Sequence, residues 1–171
     1  MNQQPSLGET RKHVETSPES KRIVERISRY IAGAKKGAAL FADYGHHGEG
    51  EDTFRGYQKS EQVEPLSVEP GSADLTADVD FSQIVSCVNA VRGVQTVGPV
   101  TQREYLVNMG FLHRLEVLLK NCRDRGDIEG RKALMTQTET LLANDKMGQR
   151  FKFLAIVPEN SAAIAGFAPL S

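Results

Sequence analysis

The chemistry-bearing residues of this chain gather where a short apolar run, Gly37 to Ala42, gives way to Asp43, Tyr44, Gly45 and His46. An apolar run of this length without alternation reads as a strand covered on both faces in a parallel sheet. In open α/β sheets the carboxyl ends of such strands are the edge where ligands bind. A carboxylate there holds a guanidinium by two parallel charge-assisted bonds, and an aromatic face stacks on it. A structural use of the same residues, capping the following turn, fits the sequence equally well. Asp74, Asp78 and Asp80 repeat the acidic theme farther along the chain.

Other chemistries find less support. His46 and His47 with Asp43, Asp74, Asp78 and Asp80 are metal-ligand types, but HExxH, an EF-hand loop and paired CxxC do not occur. No metal is expected. A nucleophilic hydrolase would place its serine in GxSxG, which the sequence lacks. The stretch Gly45 to Gly50 is glycine-rich, yet it lacks GxxxxGK[ST] and carries acids that repel phosphate. A loop tip is the simpler reading.

The 171 residues are long enough for one domain with a hydrophobic core. Twenty-one basic residues against twenty-two acidic ones leave a formal charge of -1, so the broad positive field that attracts nucleic acid is not expected. The longest apolar stretches, Ala38 to Ala42 and Ala162 to Ala168, fall far short of the roughly 20 residues of a membrane span. Cys87 and Cys122 belong to no close-spaced pair and are read as reduced, structural thiols. Met1 to Thr16 shows neither a secretory pattern nor an arginine-rich transit pattern.

The elements that must position the strand end follow from periodicity and caps. Ser17-Pro18 opens a helix whose stripe is Ile23, Val24, Ile27, Tyr30 and Ile31, with Gly33 and Gly37 marking its end. Residues 45–72 read as a long functional loop or insertion with one extended piece near Thr53 to Tyr57. Leu75 to Phe81 alternates like a strand, or runs extended into a helix cap at Asp80 or Ser82. A helix carrying Ile84, Val85, Val88 and Val91 follows, then a strand at Val94 to Val97. Thr101 and Glu104 stand in capping-box spacing ahead of the next helix. Further helices extend toward Arg125-Gly126 and over Ile128 to Ala143, and Phe151 to Val157 is a closing strand stopped by Pro158. The order gives an α/β fold with a mixed sheet that opens on a crossover helix lacking its preceding strand.

Six blocks in this order resemble the MidA family: Ala42 to His46, Asp52 to Gly56, Pro70 to Phe81, Gly98 to Gln102, Asn108 to Gly110 and Met147 to Phe153. The resemblance runs from about Val14 to Val157. It implies the carboxyl-terminal portion of a class I, Rossmann-like methyltransferase fold with S-adenosylmethionine as co-substrate. On that mapping Ala38 to Tyr44 is the fifth strand, Val94 to Val97 the sixth and Phe151 to Val157 the seventh, with the first four strands missing. The family's glycine-rich turn and its Asn-Glu-Phe segment would lie upstream, so no cofactor-binding residue carries over. Donor binding by this chain alone is expected to be poor or absent.

The activity the resemblance implies is symmetric dimethylation of an arginine in a core subunit of mitochondrial respiratory complex I, during its assembly in the mitochondrial matrix. It leaves Asp43, Tyr44, Gly45, His46, Arg55, Asp74, Asp78 and Asp80 as the substrate-site wall. The expected organisation is an irregular segment 1–16, the methyltransferase part 17–157 with insertion 45–72, and a tail 158–171. A homodimer is carried as an expectation. The competing reading is a non-catalytic binding module or assembly chaperone for complex I, which would keep partner binding and lose donor binding.

Overall fold

A computed structural model describes residues 15–50 and 52–167. The elements run α1 (Pro18–Ala34), β1 (Ala39–His46), β2 (Arg55–Gln58), β3 (Glu61–Val63), β4 (Asp74–Thr76), β5 (Val79–Asp80), α2 (Phe81–Asn89) and β6 (Val94–Thr101). They continue with α3 (Gln102–Asn108), α4 (Phe111–Asp124), α5 (Ile128–Leu142), α6 (Met147–Arg150) and β7 (Phe151–Pro158). The main sheet has the order β5-β1-β7-β6, with β1 parallel to β5 and β7 antiparallel to both β1 and β6. The α/β fold with a mixed sheet is the one expected.

Ser17 caps α1 by accepting the Ser20 amide, and Pro18 sits in the first turn. The buried stripe is Val24, Ser28 and Ile31, at i, i+4 and i+7. Ile23 and Tyr30, expected in that stripe, are 49% and 66% exposed, because helical spacing swings them to its flanks. Ser28 fits the apolar stripe by donating its hydroxyl to the Val24 carbonyl at 2.8 Å. The helix stops at Lys35 in the left-handed region, one residue past Ala34, so Gly33 lies inside it.

α1 and α2 cover one face of the sheet. Val24, Ile31, Phe81, Ile84, Cys87, Val88, Val94, Leu154 and Ile156 form one core cluster. Each fully buried side chain of this kind stabilises the fold by about 1.5–3 kcal/mol. The strand buried on both faces is β7, where Leu154 to Val157 are all buried. β1 was expected in that role. It is half-exposed: Ala39 and Phe41 pack against the core cluster, while Leu40, projecting to the opposite face, is 52% exposed.

Residues 45–72 were read as a loop with one extended piece. They contain part of a second sheet, antiparallel, in the order β3-β2-β4. Gly56 at its centre is buried against Leu75, Val63 and Pro65, a small apolar patch that organises the insertion. The Leu75 to Phe81 alternation resolves into two strands in different sheets, and Asp80 then caps α2. β6 is longer than expected; its pairing with β7 slips between Val97 and Val100, where Gly98 takes a φ of 95° and Pro99 has no amide to donate.

The capping box forms as its spacing predicts: Thr101 accepts the Glu104 amide, and Glu104 accepts the Thr101 amide and hydroxyl. Tyr105 stacks on Phe153 at 4.2 Å and meets Phe167 edge-on at 5.4 Å, so the segment after β7 is docked on α3. Both cysteines are free thiols, Cys87 buried and Cys122 half-buried. No helix among the described residues is long and apolar enough to cross a membrane. Residues 1–14 and 168–171, which hold most of the amino-terminal segment and the end of the tail, lie outside the described residues.

Candidate functional site

The carboxyl end of β1 is built from three directions. β7 brings Phe151 opposite Tyr44, with ring centroids 3.9 Å apart. The one-turn helix α6 brings Arg150, whose guanidinium carbon lies 5.2 Å from the centre of the Tyr44 ring. That placement depends on Gly148, which is buried so closely against the backbone of Leu142 and Ala143 that a Cβ would overlap it. The Tyr44 ring therefore already holds one guanidinium by cation–π attraction.

Asp43 lies on the same strand and is exposed. Its carboxylate accepts the Tyr44 amide at 2.8 Å. Successive strand residues project to opposite faces. Asp43 and Tyr44 thus present a carboxylate and an aromatic ring on different sides of β1 instead of closing on one group.

Gly45 and His46 pair with Val79 and Asp80. Gly45 has no room for a side chain, since a Cβ would meet the Val79 carbonyl and the Phe81 ring. His46 accepts the Gly48 amide at Nδ1 over 3.2 Å, and Gly50 packs directly against the ring. Asp80 accepts from the Ser82 backbone amide at 2.9 Å, the Ser82 hydroxyl at 2.6 Å and the Gln83 side-chain Nε2 at 3.1 Å. Burial works to raise the Asp80 pKa, but those donors and the nearby His46 outweigh it and hold the carboxyl below its ordinary value.

Arg55 and Asp78 meet each other. The guanidinium donates to the Asp78 carboxylate at 2.6 Å and to the Thr53 carbonyl at 2.9 Å, with the side chains 18% and 22% exposed. Thr53 is the hub of this clamp. Its amide and hydroxyl donate to Glu15, the Phe54 amide adds a third bond to the same carboxylate, and its oxygen accepts the Asp78 amide at 2.9 Å. The Asp52-to-Gly56 and Pro70-to-Phe81 blocks are thereby locked together, and they hold β5 beside the end of β1. Asp74 stands apart, exposed on β4 opposite Tyr57.

The structure thus brings Tyr44, Gly45, His46 and Asp80 to one strand end, commits Arg55 and Asp78 to the clamp, and leaves Asp74 on the insertion. Sequence reasoning missed Arg150 and Phe151 as neighbours of Tyr44, although both stand in the Met147-to-Phe153 block. It also missed Glu15, which has no local signal because its partner Thr53 lies 38 positions away. Among the described residues no three His, Cys, Asp or Glu side chains gather into a metal-holding group. Among those residues, too, no glycine-rich turn joins a strand to the start of a helix, and no donor contact is assigned.

Residues 1–100 match the sequence profile of the putative S-adenosyl-L-methionine-dependent methyltransferase family. The chain belongs to this family. It is 42% identical over 167 residues to the mitochondrial protein arginine methyltransferase NDUFAF7 of Xenopus tropicalis, covering 95% of this chain and 37% of that protein. The human protein of the same name is 42% identical over 150 residues, 88% of this chain and 32% of its own length. The chain thus spans about a third of the length of the curated methyltransferases it matches. Among solved structures, a candidate methyltransferase from Burkholderia thailandensis bound to S-adenosylhomocysteine superposes with a TM-score of 0.73 at 25% identity, over 90% of this chain and 39% of that one. A second structure from the same organism gives 0.75 over 90% of this chain and 40% of its own. The class I methyltransferase fold is the one that the MidA-type motifs implied.

Proposed function

We propose that this chain forms the substrate-side wall of an S-adenosylmethionine-dependent protein arginine N-methyltransferase of the mitochondrial matrix. Its substrate would be a core subunit of respiratory complex I, modified by symmetric dimethylation. The observation that carries this reading is the guanidinium seat at the end of β1, where Tyr44 already accepts Arg150. That seat lies at the strand edge where α/β folds bind ligands, in a chain resembling proteins named as arginine methyltransferases. A substrate arginine would take the place of Arg150 over the ring, while His46 and Asp80 line the neighbouring strand end and the insertion β2–β4 flanks the approach.

The wall orients the nucleophile and excludes water; the bound donor supplies the electrophilic methyl group. The test is a calorimetric titration of the purified chain with S-adenosylmethionine, followed by one with an arginine-bearing peptide. Peptide binding without donor binding supports a wall that needs the rest of the fold for catalysis. Tight one-to-one donor binding by the chain overturns the assignment of β1 to the substrate side. Binding of a complex I subunit that is insensitive to its arginines would favour the binding-module reading over the enzyme.

A further inference from the structure

Among the described residues, β2, β3 and β4 pair only with one another, so their small sheet is held to the main sheet by the chain at its base and by side chains that reach that base. Glu15 is such a side chain. It stands two residues before the Ser17 cap of α1, and α1 is fixed to the core by Val24, Ser28 and Ile31, so Glu15 rides on a rigid mount. One oxygen of its carboxylate accepts the Thr53 and Phe54 backbone amides, both at 2.7 Å, and the other accepts the Thr53 hydroxyl. The Glu15 carbonyl accepts the Gln83 side-chain Nε2 at 3.4 Å, the same nitrogen that donates to Asp80 at 3.1 Å. Thr53 passes the register on, since its hydroxyl oxygen also accepts the Asp78 amide at 2.9 Å, one residue before β5. Glu15 thus touches the base of the insertion on one side and the Asp80 end of β5 on the other.

We propose that Glu15 is a positioning residue of the substrate wall: it braces the insertion β2–β4 against the end of β1, so that a chain whose arginine enters the seat at Tyr44 meets the insertion in one fixed placement. The inference rests on the reading of that strand end as a guanidinium seat. Glu15 and Thr53 are both half-buried, where bonds to an ionised acceptor are short and strong. Thr53 and Phe54 lead directly into β2, so a carboxylate that fixes both amides fixes the entry of the small sheet. Support of this kind matters because a shift of about 1 Å in a positioning group far from the chemistry is enough to weaken binding and rate. A lone arginine needs only the seat. A longer chain also lies along the insertion, so Glu15 controls the affinity of the chain and not that of the arginine.

The experiment follows the Tyr44 ring by NMR while the full chain is titrated with two probes: acetyl-arginine amide, which fills the seat alone, and a complex I core-subunit peptide of about twelve residues with a central arginine, whose arms reach up to about 20 Å to either side. Glu15→Ala should weaken the longer peptide about tenfold and leave the short probe within about twofold, a split that a general loss of stability does not produce. Glu15→Gln should bring the longer peptide back to within a few-fold, because the amide oxygen still accepts both backbone amides and the Thr53 hydroxyl oxygen can accept from the new nitrogen. Circular dichroism checks that both variants fold. Hydrogen exchange along β2 and β5 measures the brace with no peptide present, and it should quicken about tenfold or more in Glu15→Ala. Equal losses for the two probes, no loss for either, or unchanged exchange at β2 and β5 overturns the proposal. A parent chain that binds neither probe at Tyr44 overturns the guanidinium seat instead, and the exchange measurement then decides the brace on its own.

Discussion

Breaking the Arg55–Asp78 pair should loosen the second sheet and the end of β1 together. Arg55→Met keeps the aliphatic stem and removes the bonds to Asp78 at 2.6 Å and to the Thr53 carbonyl at 2.9 Å. Hydrogen bonds to charged groups contribute about 1.5–3 kcal/mol each. Asp78 outweighs the burial that disfavours the guanidinium's charge, yet the side chains are 18% and 22% exposed, so solvent screening places the pair toward the lower end. The expected loss is about 2–3 kcal/mol, which at about 2–4 °C per kcal/mol lowers the melting temperature by about 4–12 °C. The assay is a double-mutant cycle with Asp78→Asn, read by urea unfolding, with hydrogen exchange followed at the Val79 and Asp80 amides. A coupling energy of about 1–2 kcal/mol and faster exchange at β5 are expected. Coupling below about 0.3 kcal/mol would refute the clamp and reduce Arg55–Asp78 to an ordinary surface pair.

Asp80 gives the chain an acid-sensitive limb. Its folded pKa lies below the unfolded value of about 3.9, so its contribution is complete above that value and is lost as pH falls through the folded pKa. Asp80→Asn should flatten the pH dependence of unfolding below about pH 4 relative to the parent chain, measured by denaturant midpoint. Gly148→Ala should cost about 2 kcal/mol or more, because the new methyl overlaps the Leu142 and Ala143 backbone. Thermal melts check the loss, and the Arg150–Tyr44 contact should disappear from aromatic NMR shifts. Arg150→Gln should leave the fold intact and tighten binding of an arginine-bearing peptide about two- to fivefold in calorimetry, since an exposed cation–π contact of about 0.5–1 kcal/mol no longer competes.

Local signals were legible in the sequence where the chain satisfies itself locally. Ser17-Pro18 and Thr101…Glu104 announced their helix starts because a cap bonds three residues away. The α5 boundary fell within a residue for the same reason, with Asp127 accepting the Gly130 amide. The small sheet β3-β2-β4 was not legible, because its strands are three or four residues long and its apolar patch rests on Gly56. The burial of β1 was misread because an apolar composition says how a strand is suited to be covered, not whether both of its faces are covered. At the site, Tyr44 and Asp43 were visible as chemistry, but strand alternation separates them, and the guanidinium over Tyr44 comes from Arg150, 106 positions away in the chain. Arg55 and Asp78 looked like a substrate guide because residue type alone does not reveal that a charge is already matched.

The most direct test of the guanidinium seat is an NMR titration of the chain with an arginine-bearing peptide and with its lysine-for-arginine counterpart, following the Tyr44 ring. The account predicts saturable shifts of Tyr44 and Phe151 with the arginine peptide, about tenfold weaker binding for the lysine peptide, and loss of the response in Tyr44→Ala. Equal binding of the two peptides, or a response confined to residues away from the end of β1, would contradict it.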